Sequence, residues 1–386
     1  MNDEITESVI GFDALFESML KCKKGVIWKG STASFYLNGI EKCLKLEKEL
    51  KDGTYKSGKP VTFTITHPKK REIVSIRFRD RVYQRSLNDN YIYPEVAKQL
   101  IPENAACQKG KGTDYARKML LEYMREMQKE YGSYYVLQCD IKGYYPNMRH
   151  DVAADIFRKM LPSEEIYRMS EKVLREQYAG DTGYNPGSQM IQIVGIAALN
   201  DEDHFIRDEL GISHYVRYMD DFLLLHHDKA YLEECLLKIT EKMAVKGFQL
   251  NEKKTRIYEA SKGITFLGFI FKPRHSGKIV VTRTPERVKA ERRKLKRLVK
   301  KAAEGGVSRG KVFEHYQIWR STVVWDGSRK SRKKNSKRNG FRSDNHRMAM
   351  RMDAYFKTLR QEHWREDNDQ QRDQKAQSHV QKKERK

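Results

Sequence analysis

The spacing of apolar positions changes period along the chain. In the first third, Ala33, Leu37, Ile40 and Leu44 recur at helical intervals, and Val61 to Thr66 (VTFTIT) alternate as a strand does. A basic stretch, HPKKREIVSIRFRDR, precedes the next helical pattern, so this third reads as helix, helix, hairpin, helix. In the middle third Tyr134 to Ile141 (YYVLQCDI) is a β-rich run ending in an acid. His214 to Tyr218 and Phe222 to His226 are two shorter runs separated only by Met219, Asp220 and Asp221. Helical patterns around Val152, Ile156 and Met160, and around Met190, Ile193, Val194 and Ala197, lie between them. The mixture predicts an α+β fold. A longer helical pattern then carries Leu232, Leu236, Ile239 and Met243, before strand candidates at Ile264 to Phe271 and Lys278 to Val281.

From Thr284 the pattern is helical and basic. Thr284 as N-cap, Pro285 at the first helical position and Gly305 beyond the end bracket one helix. Its apolar stripe of Val288, Leu295, Val299 and Ala302 leaves Arg292, Arg293, Lys296, Arg297 and Lys300 on the outer faces. A charged helix face is ordinarily a solvated one, but its place after an acidic hairpin favours a track for a phosphate backbone. Arg329 to Arg342 (RKSRKKNSKRNGFR) is a second basic run without an acid, read as a mobile arm before a last amphipathic helix bearing Met348, Met352, Tyr355, Phe356 and Leu359. Beyond Arg365 there is almost nothing to bury, and the tail is predicted to be disordered.

Composition narrows the partners. The 386 residues carry 76 Lys and Arg against 52 Asp and Glu, a formal charge of +24, while 39% hydrophobic residues suffice for a core. A folded protein with that surface points to nucleic acid through neutralised phosphates and released counterions. No apolar run approaches the roughly 18 residues that a membrane span needs. The start MNDEITESVI lacks the basic and apolar parts of a signal peptide, so the expectation is a cytoplasmic protein with no membrane partner. Five widely spaced cysteines suggest neither a disulfide framework nor a structural zinc.

The chemistry centres on Tyr218-Met219-Asp220-Asp221. An Asp-Asp pair is by itself ordinary turn chemistry. Two adjacent carboxylates at a hairpin tip nevertheless repel, and a divalent cation resolves the conflict. A third acid, Asp140, ends YYVLQCDI and would lie at the sheet's rim beside the hairpin. Asp140 and Asp220 could then share two Mg²⁺ ions (or Mn²⁺), the arrangement used when a 3′-hydroxyl attacks an α-phosphate and pyrophosphate leaves.

Taken together, the pattern from about Ser57 to Leu359 resembles a reverse transcriptase of the bacterial retroelement type, which includes group II intron, retron, diversity-generating and phage-defence enzymes. Tyr218-Met219-Asp220-Asp221 matches the YxDD box, and Asp140 with Ile141, Lys142, Gly143, Tyr144 and Tyr145 matches the first catalytic motif. Lys69-x-Arg71 and Asp80-Arg81-x-x-Gln84 resemble the fingers motif, and Gln108-Lys109-Gly110-Lys111-Gly112-Thr113 resembles the basic glycine-containing stretch after it. Leu250-Asn251-x-x-Lys254-Thr255 and Phe266-Leu267-Gly268-Phe269 resemble the two downstream motifs. One departure is Ile191, which stands where the family has Ser in Gly187-Ser188-Gln189-Met190-Ile191-Gln192. Gln192, Asn200 and the Asp203-His204 pair are nearer to diversity-generating and defence enzymes than to introns and retrons.

The resemblance implies a right-hand polymerase fold: fingers over 1–133, palm over 134–281 with the catalytic hairpin, a basic helical thumb over 282–362 and a tail over 363–386. It implies catalytic Asp140, Asp220 and Asp221, with Ile141 completing the metal set, and RNA-templated DNA synthesis from deoxynucleoside triphosphates. Lys69 and Arg71 would clamp the triphosphate, Tyr145 would exclude a 2′-hydroxyl by volume, and Gln192 would touch nucleotide or template. Lys254 would protonate departing pyrophosphate. Arg292, Arg293, Lys296 and Arg297 would hold nucleic acid. No added endonuclease or zinc-finger pattern is found, which suggests a stand-alone polymerase with a dedicated non-coding RNA template and a DNA product. An accessory protein or homo-oligomer is also compatible with the sequence. Antiviral defence is the expected role, with a diversity-generating retroelement enzyme as the alternative and a non-catalytic RNA-binding scaffold as the reading of another class.

Overall fold

Nine strands form three sheets among the residues that the computed structural model describes, which are 3–66, 71–178, 180–184, 187–323 and 344–364. Strands β1 (Val61–Ile65) and β2 (Arg71–Ser75) make an antiparallel ribbon. Strands β3 (Tyr135–Asp140), β4 (Tyr215–Tyr218), β5 (Asp221–His226) and β6 (Arg256–Glu259) make a sheet of order β4-β5-β3-β6. Strands β7 (Ile264–Phe266), β8 (Phe269–Pro273) and β9 (Ile279–Arg283) follow in simple succession. The chain divides into one unit of residues 1–120 and 134–258 and another of 121–133 and 259–386.

In the first unit the two central strands explain the sequence's apolar runs. Val136, Leu137 and Cys139 of β3 and Phe222 to Leu225 of β5 are all buried, as expected of strands covered on both faces rather than one. Their antiparallel register runs from Tyr135 opposite His226 to Asp140 opposite Asp221, so the acid that ends β3 meets the acid that starts β5. The same core takes in Phe157, Ile193, Val194 and Ile239 from the flanking helices. Two of these helices start on side-chain caps. Ser188 accepts from the Ile191 amide at 3.2 Å to begin Gln189–Ala197, and Asp228 accepts from the Ala230 amide at 2.8 Å to begin Lys229–Val245.

The first third differs from its sequence reading. Four helices, not two, precede the ribbon: Asp3–Ile10, Phe12–Cys22, Gly30–Leu37 and Gly39–Lys51. The expected stripe is broken at Asn38, and Leu37 (80% exposed), Ile40 and Leu44 point to solvent, while Phe35, Cys43 and Leu46 are buried. A restart at Gly39 turns the second helix, so residues in phase across the break no longer share a face.

In the second unit the run Ile264 to Phe271 is two strands joined by a two-residue turn, with Leu267 (φ 46°) and Gly268 (φ 83°) both left-handed and Phe266 paired with Phe269. A Cβ on Gly268 would lie 2.8 Å from Cζ of Arg287, so a glycine there lets the basic helix begin against the turn. That helix, Pro285–Ala303, starts at Thr284 with proline in its first turn, although the Thr284 side chain makes no capping bond. Leu295 and Val299 pack with Val312 and Tyr316 of Arg309–Val323 and with Met352, Phe356 and Leu359 of Asp344–Trp364. Burying each such side chain stabilises by roughly 1.5–3 kcal/mol relative to exposure. The basic run Arg329 to Arg342 and everything from Arg365 onward lie outside the described residues. Among the described residues no helix is long and apolar enough to cross a membrane.

Candidate active site

The β4–β5 hairpin turns on two residues. Tyr218 pairs with Asp221, leaving Met219 and Asp220 at the tip, and of these only Met219 has a left-handed φ, 60°. This turn class usually gives that position to glycine, and a non-glycine residue there persists only when its surroundings hold it. Two contacts do so. Arg217 Nη1 donates to the Met219 carbonyl at 3.0 Å, and the Tyr145 hydroxyl donates to Met219 Sδ at 3.6 Å.

Behind the hairpin, Arg217 is fully buried and paired with fully buried Asp203 at 2.5 Å. Its Nε donates to Asp203 Oδ1 at 2.6 Å and its Nη2 to the Ile196 carbonyl at 2.9 Å, while Tyr215 donates to the same Asp203 oxygen at 2.7 Å. The Arg217 backbone also pairs with the strip Glu103–Ala105, giving its amide to the Glu103 carbonyl at 3.0 Å and accepting from the Ala105 amide at 2.9 Å. With its hydrogen bonds satisfied in this way, a buried charge pair can persist. In the sequence Arg217 lies inside a β-rich run, with nothing beside it that marks a role. The available signal was a lone cation in an apolar strand, which implies a buried acid elsewhere.

In front, the end of β3 is held by the segment after the Lys229–Val245 helix. The Asn251 amide donates to the Asp140 carbonyl at 2.7 Å and its side chain to Asp140 Oδ1 at 3.1 Å. Lys254 Nζ lies 2.6 Å from Asp140 Oδ2. On the other side the Ile141 amide donates to the Asp220 carbonyl at 3.3 Å. Asp140, Asp220 and Asp221, predicted from the sequence to act together, are therefore gathered at one sheet end, and Lys254 joins them.

Their electrostatics call for a cation. Asp140 and Asp221 are directly opposite across the ladder, where like charges are unfavourable. Burial, then the charges of Asp220 and Asp140, push the Asp221 carboxyl up to about 7. Among the described residues no three acidic, His or Cys side chains already form a metal cage. Such a set of carboxylates would fit a divalent cation whose remaining ligands come from water or a bound molecule. Ile141, also predicted in the metal set, has only its backbone carbonyl to offer.

The remaining expected residues are distributed as follows. Tyr145 is half-buried, with its ring 5.3 Å from that of Tyr144. Gln192 is exposed on Gln189–Ala197, on the face it shares with Gly195 one turn on. Arg71 opens β2, and Lys69 lies outside the described residues. Asp80 of the Asp-Arg-x-x-Gln motif is buried, accepting from Tyr55 at 2.8 Å and from the Gly58 amide at 2.9 Å. Lys111 Nζ donates to the carbonyls of Ile101, Pro102 and Asn104 at 3.1–3.3 Å. These two motifs thus hold the fold as well as whatever they bind. In the second unit Arg292, Arg293, Lys296 and Arg297 are exposed, although Arg292 lies over the Tyr355 ring at 5.2 Å.

Comparison with known proteins adds a family. The family described as reverse transcriptase (RNA-dependent DNA polymerase) matches residues 61–271. No curated protein matches the chain. Among solved structures it is similar to apo telomerase from Candida tropicalis truncated from the C-terminal domain (13% identity, 60% of this chain and 55% of that chain covered, TM-score 0.44). It is also similar to telomerase from Candida tropicalis with a TWJ fragment of telomeric RNA (12% identity, 74% and 58% covered, TM-score 0.46). The telomerase from Candida albicans with such a fragment gives 13% identity, 68% and 55% covered and a TM-score of 0.43. The chain spans a little over half the length of these telomerases.

Proposed function

The chain belongs to the reverse transcriptase family, and we propose that its hairpin joins deoxynucleotides into DNA on an RNA template, with Asp140, Asp220 and Asp221 as the catalytic carboxylates. The fold is α+β, of the right-hand polymerase class. The observation that carries the reading is the convergence of three carboxylates and one ammonium at the end of β3, with Asp140 facing Asp221 across the ladder and Lys254 on Asp140. Mg²⁺ held by Asp140, Asp220 and the Ile141 carbonyl would stabilise charge on the attacking and leaving oxygens. Lys254 gives a proton to pyrophosphate as it departs, a role supported by its ammonium lying 2.6 Å from Asp140. Tyr145, beside the turn, excludes the 2′-hydroxyl, and Gln192 contacts nucleotide or template from the Gln189–Ala197 helix. Lys69 and Arg71 clamp the triphosphate.

Fingers (1–133), palm (134–281) and thumb (282–362) remain the proposed assignment, with the exposed cations of Pro285–Ala303 holding phosphates. The template proposed is a dedicated non-coding RNA, the setting cytoplasmic and the role antiviral defence. A diversity-generating enzyme is the alternative. Gln192, Asn200 and Asp203-His204 support both of these over introns and retrons. The test is primer extension on an RNA template with the four deoxynucleotides, which should proceed with Mg²⁺ and stop with a chelator. Sequencing the RNA that copurifies with the protein would identify the template. RNA binding without any extension would favour the scaffold reading.

A further inference from the structure

Gly195 sits in the interior of the buried helix Gln189–Ala197, where a glycine is destabilising relative to alanine. Its surroundings supply the reason for it. A Cβ at that position would come within 2.9 Å of Cζ and 3.0 Å of Cε1 of Tyr145, and closer still to the Tyr145 hydroxyl. The contact is with a ring that has little room to yield. The Tyr145 hydroxyl is engaged with Met219 Sδ at 3.6 Å, and the Tyr144 ring lies 5.3 Å away. Tyr144 is itself tied to this helix by a bond from its hydroxyl to the Gly195 carbonyl at 2.6 Å. The next carbonyl, of Ile196, takes Arg217 Nη2 at 2.9 Å and Asn104 Nδ2 at 2.9 Å, and Arg217 also holds the Met219 carbonyl. One helical turn therefore touches Tyr145 through a missing side chain and the Met219-Asp220 turn through a buried guanidinium.

We propose that Gly195 is a specificity-determining position, whose bare Cα forms the seat that fixes the Tyr145 phenol against Met219. Sugar selection is then set on the Gln189–Ala197 helix as well as by the tyrosine. The inference rests on the polymerase reading, because it concerns how that reaction's nucleotide is selected. Gly195 is a positioning residue, since it acts through Tyr145 and not on the substrate. An added methyl moves the ring out of its seat, and a displacement approaching 1 Å near reacting groups costs on the order of tenfold to a hundredfold.

The experiment compares unaltered protein, Gly195→Ala, Gly195→Ala/Tyr145→Phe and Gly195→Ala/Tyr145→Ala, with single deoxynucleotides and ribonucleotides as substrates and with the melting temperature measured alongside. Gly195→Ala should lower kcat/KM for deoxynucleotides about tenfold or more, mainly through KM, and change the ratio of deoxynucleotide to ribonucleotide use by a similar factor. Removing the hydroxyl by Tyr145→Phe should recover part of the KM and of the melting temperature, since that oxygen is the atom most crowded. If Gly195→Ala alone does not fold, the pair with Tyr145→Ala, from which the clash is gone, should. An unchanged KM and unchanged sugar ratio in folded Gly195→Ala would overturn the proposal. Failure of both Tyr145 changes to relieve it would do the same. Absence of extension by the unaltered protein would instead count against the polymerase reading, and recovery of the melting temperature by Tyr145→Phe reads the seat without polymerisation.

Discussion

Asp203 and Asp140 each hold a cation at close range, 2.5 Å to Arg217 and 2.6 Å to Lys254, yet the first pair is sealed from solvent and the second leaves Lys254 58% exposed. Both flank the same hairpin, one behind the turn and one before it. Breaking the buried pair strands a charge that has no water to return to, whereas the exposed pair contributes about 0–1 kcal/mol and separates cheaply. Similar distances therefore support opposite roles. Arg217 and Asp203 fix where Met219, and hence Asp220, can be. Lys254 occupies Asp140 through a solvent-exposed pair that a competing cation can reverse.

Four changes separate the two pairs by experiment. The largest effect is expected at the front, where Asp140→Asn should reduce incorporation to the background of a primer-extension assay. It should leave the melting temperature near or above that of the unaltered protein, because one member of a repelling pair has been neutralised. At the back the effects reverse in kind. Asp203→Ala should cost roughly 3–5 kcal/mol of stability, read as a lower urea midpoint, because it leaves the Arg217 guanidinium unpaired. A midpoint unchanged by Asp203→Ala would mean that Arg217 finds another partner and that the pair does not hold the turn.

Lys254→Met is the intermediate case. It should slow incorporation on the order of a hundredfold, with stability changed by less than about 1 kcal/mol. Equal losses of activity and stability would erase the distinction between the two pairs. The smallest effect is in the pH dependence of the metal-free protein. Asp221 titrates near 7 when folded and near ~3.9 when unfolded, so the folded form keeps a proton that the unfolded chain has released. This group's contribution to stability should fall as pH rises from about 4 to about 7 and level off above, a slope that Asp221→Asn should remove from a series of melting curves. Mg²⁺ should raise the melting temperature more at pH 8 than at pH 5, since protons compete for the same oxygens.

The front of the site was legible in the sequence because its parts are local. An acid ending an apolar strand and two acids in a tight turn lie within a few residues of their structural causes, and pairing in register brings Asp140 opposite Asp221. Arg217 and Asp203 were hidden because their bond joins two elements through the core, and charge in a strand carries no label for burial. Gly195 was hidden for a related reason: a missing side chain shows its purpose only beside the ring it admits. Strand β6, with the polar sequence RIYE, lacks the apolar run that marked β3 and β5 of its sheet. In the first helices, periodicity misled because the restart at Gly39 changed the phase that Leu37, Ile40 and Leu44 appeared to share in sequence.

Whether the acids of this hairpin perform nucleotidyl transfer is decided by single-nucleotide incorporation with purified Asp220→Asn protein on a primed RNA template. No incorporation is expected with Mg²⁺ present while the protein still binds RNA, since the residues proposed to bind it are basic ones elsewhere. DNA synthesis by Asp220→Asn at the rate of the unaltered protein would contradict that role.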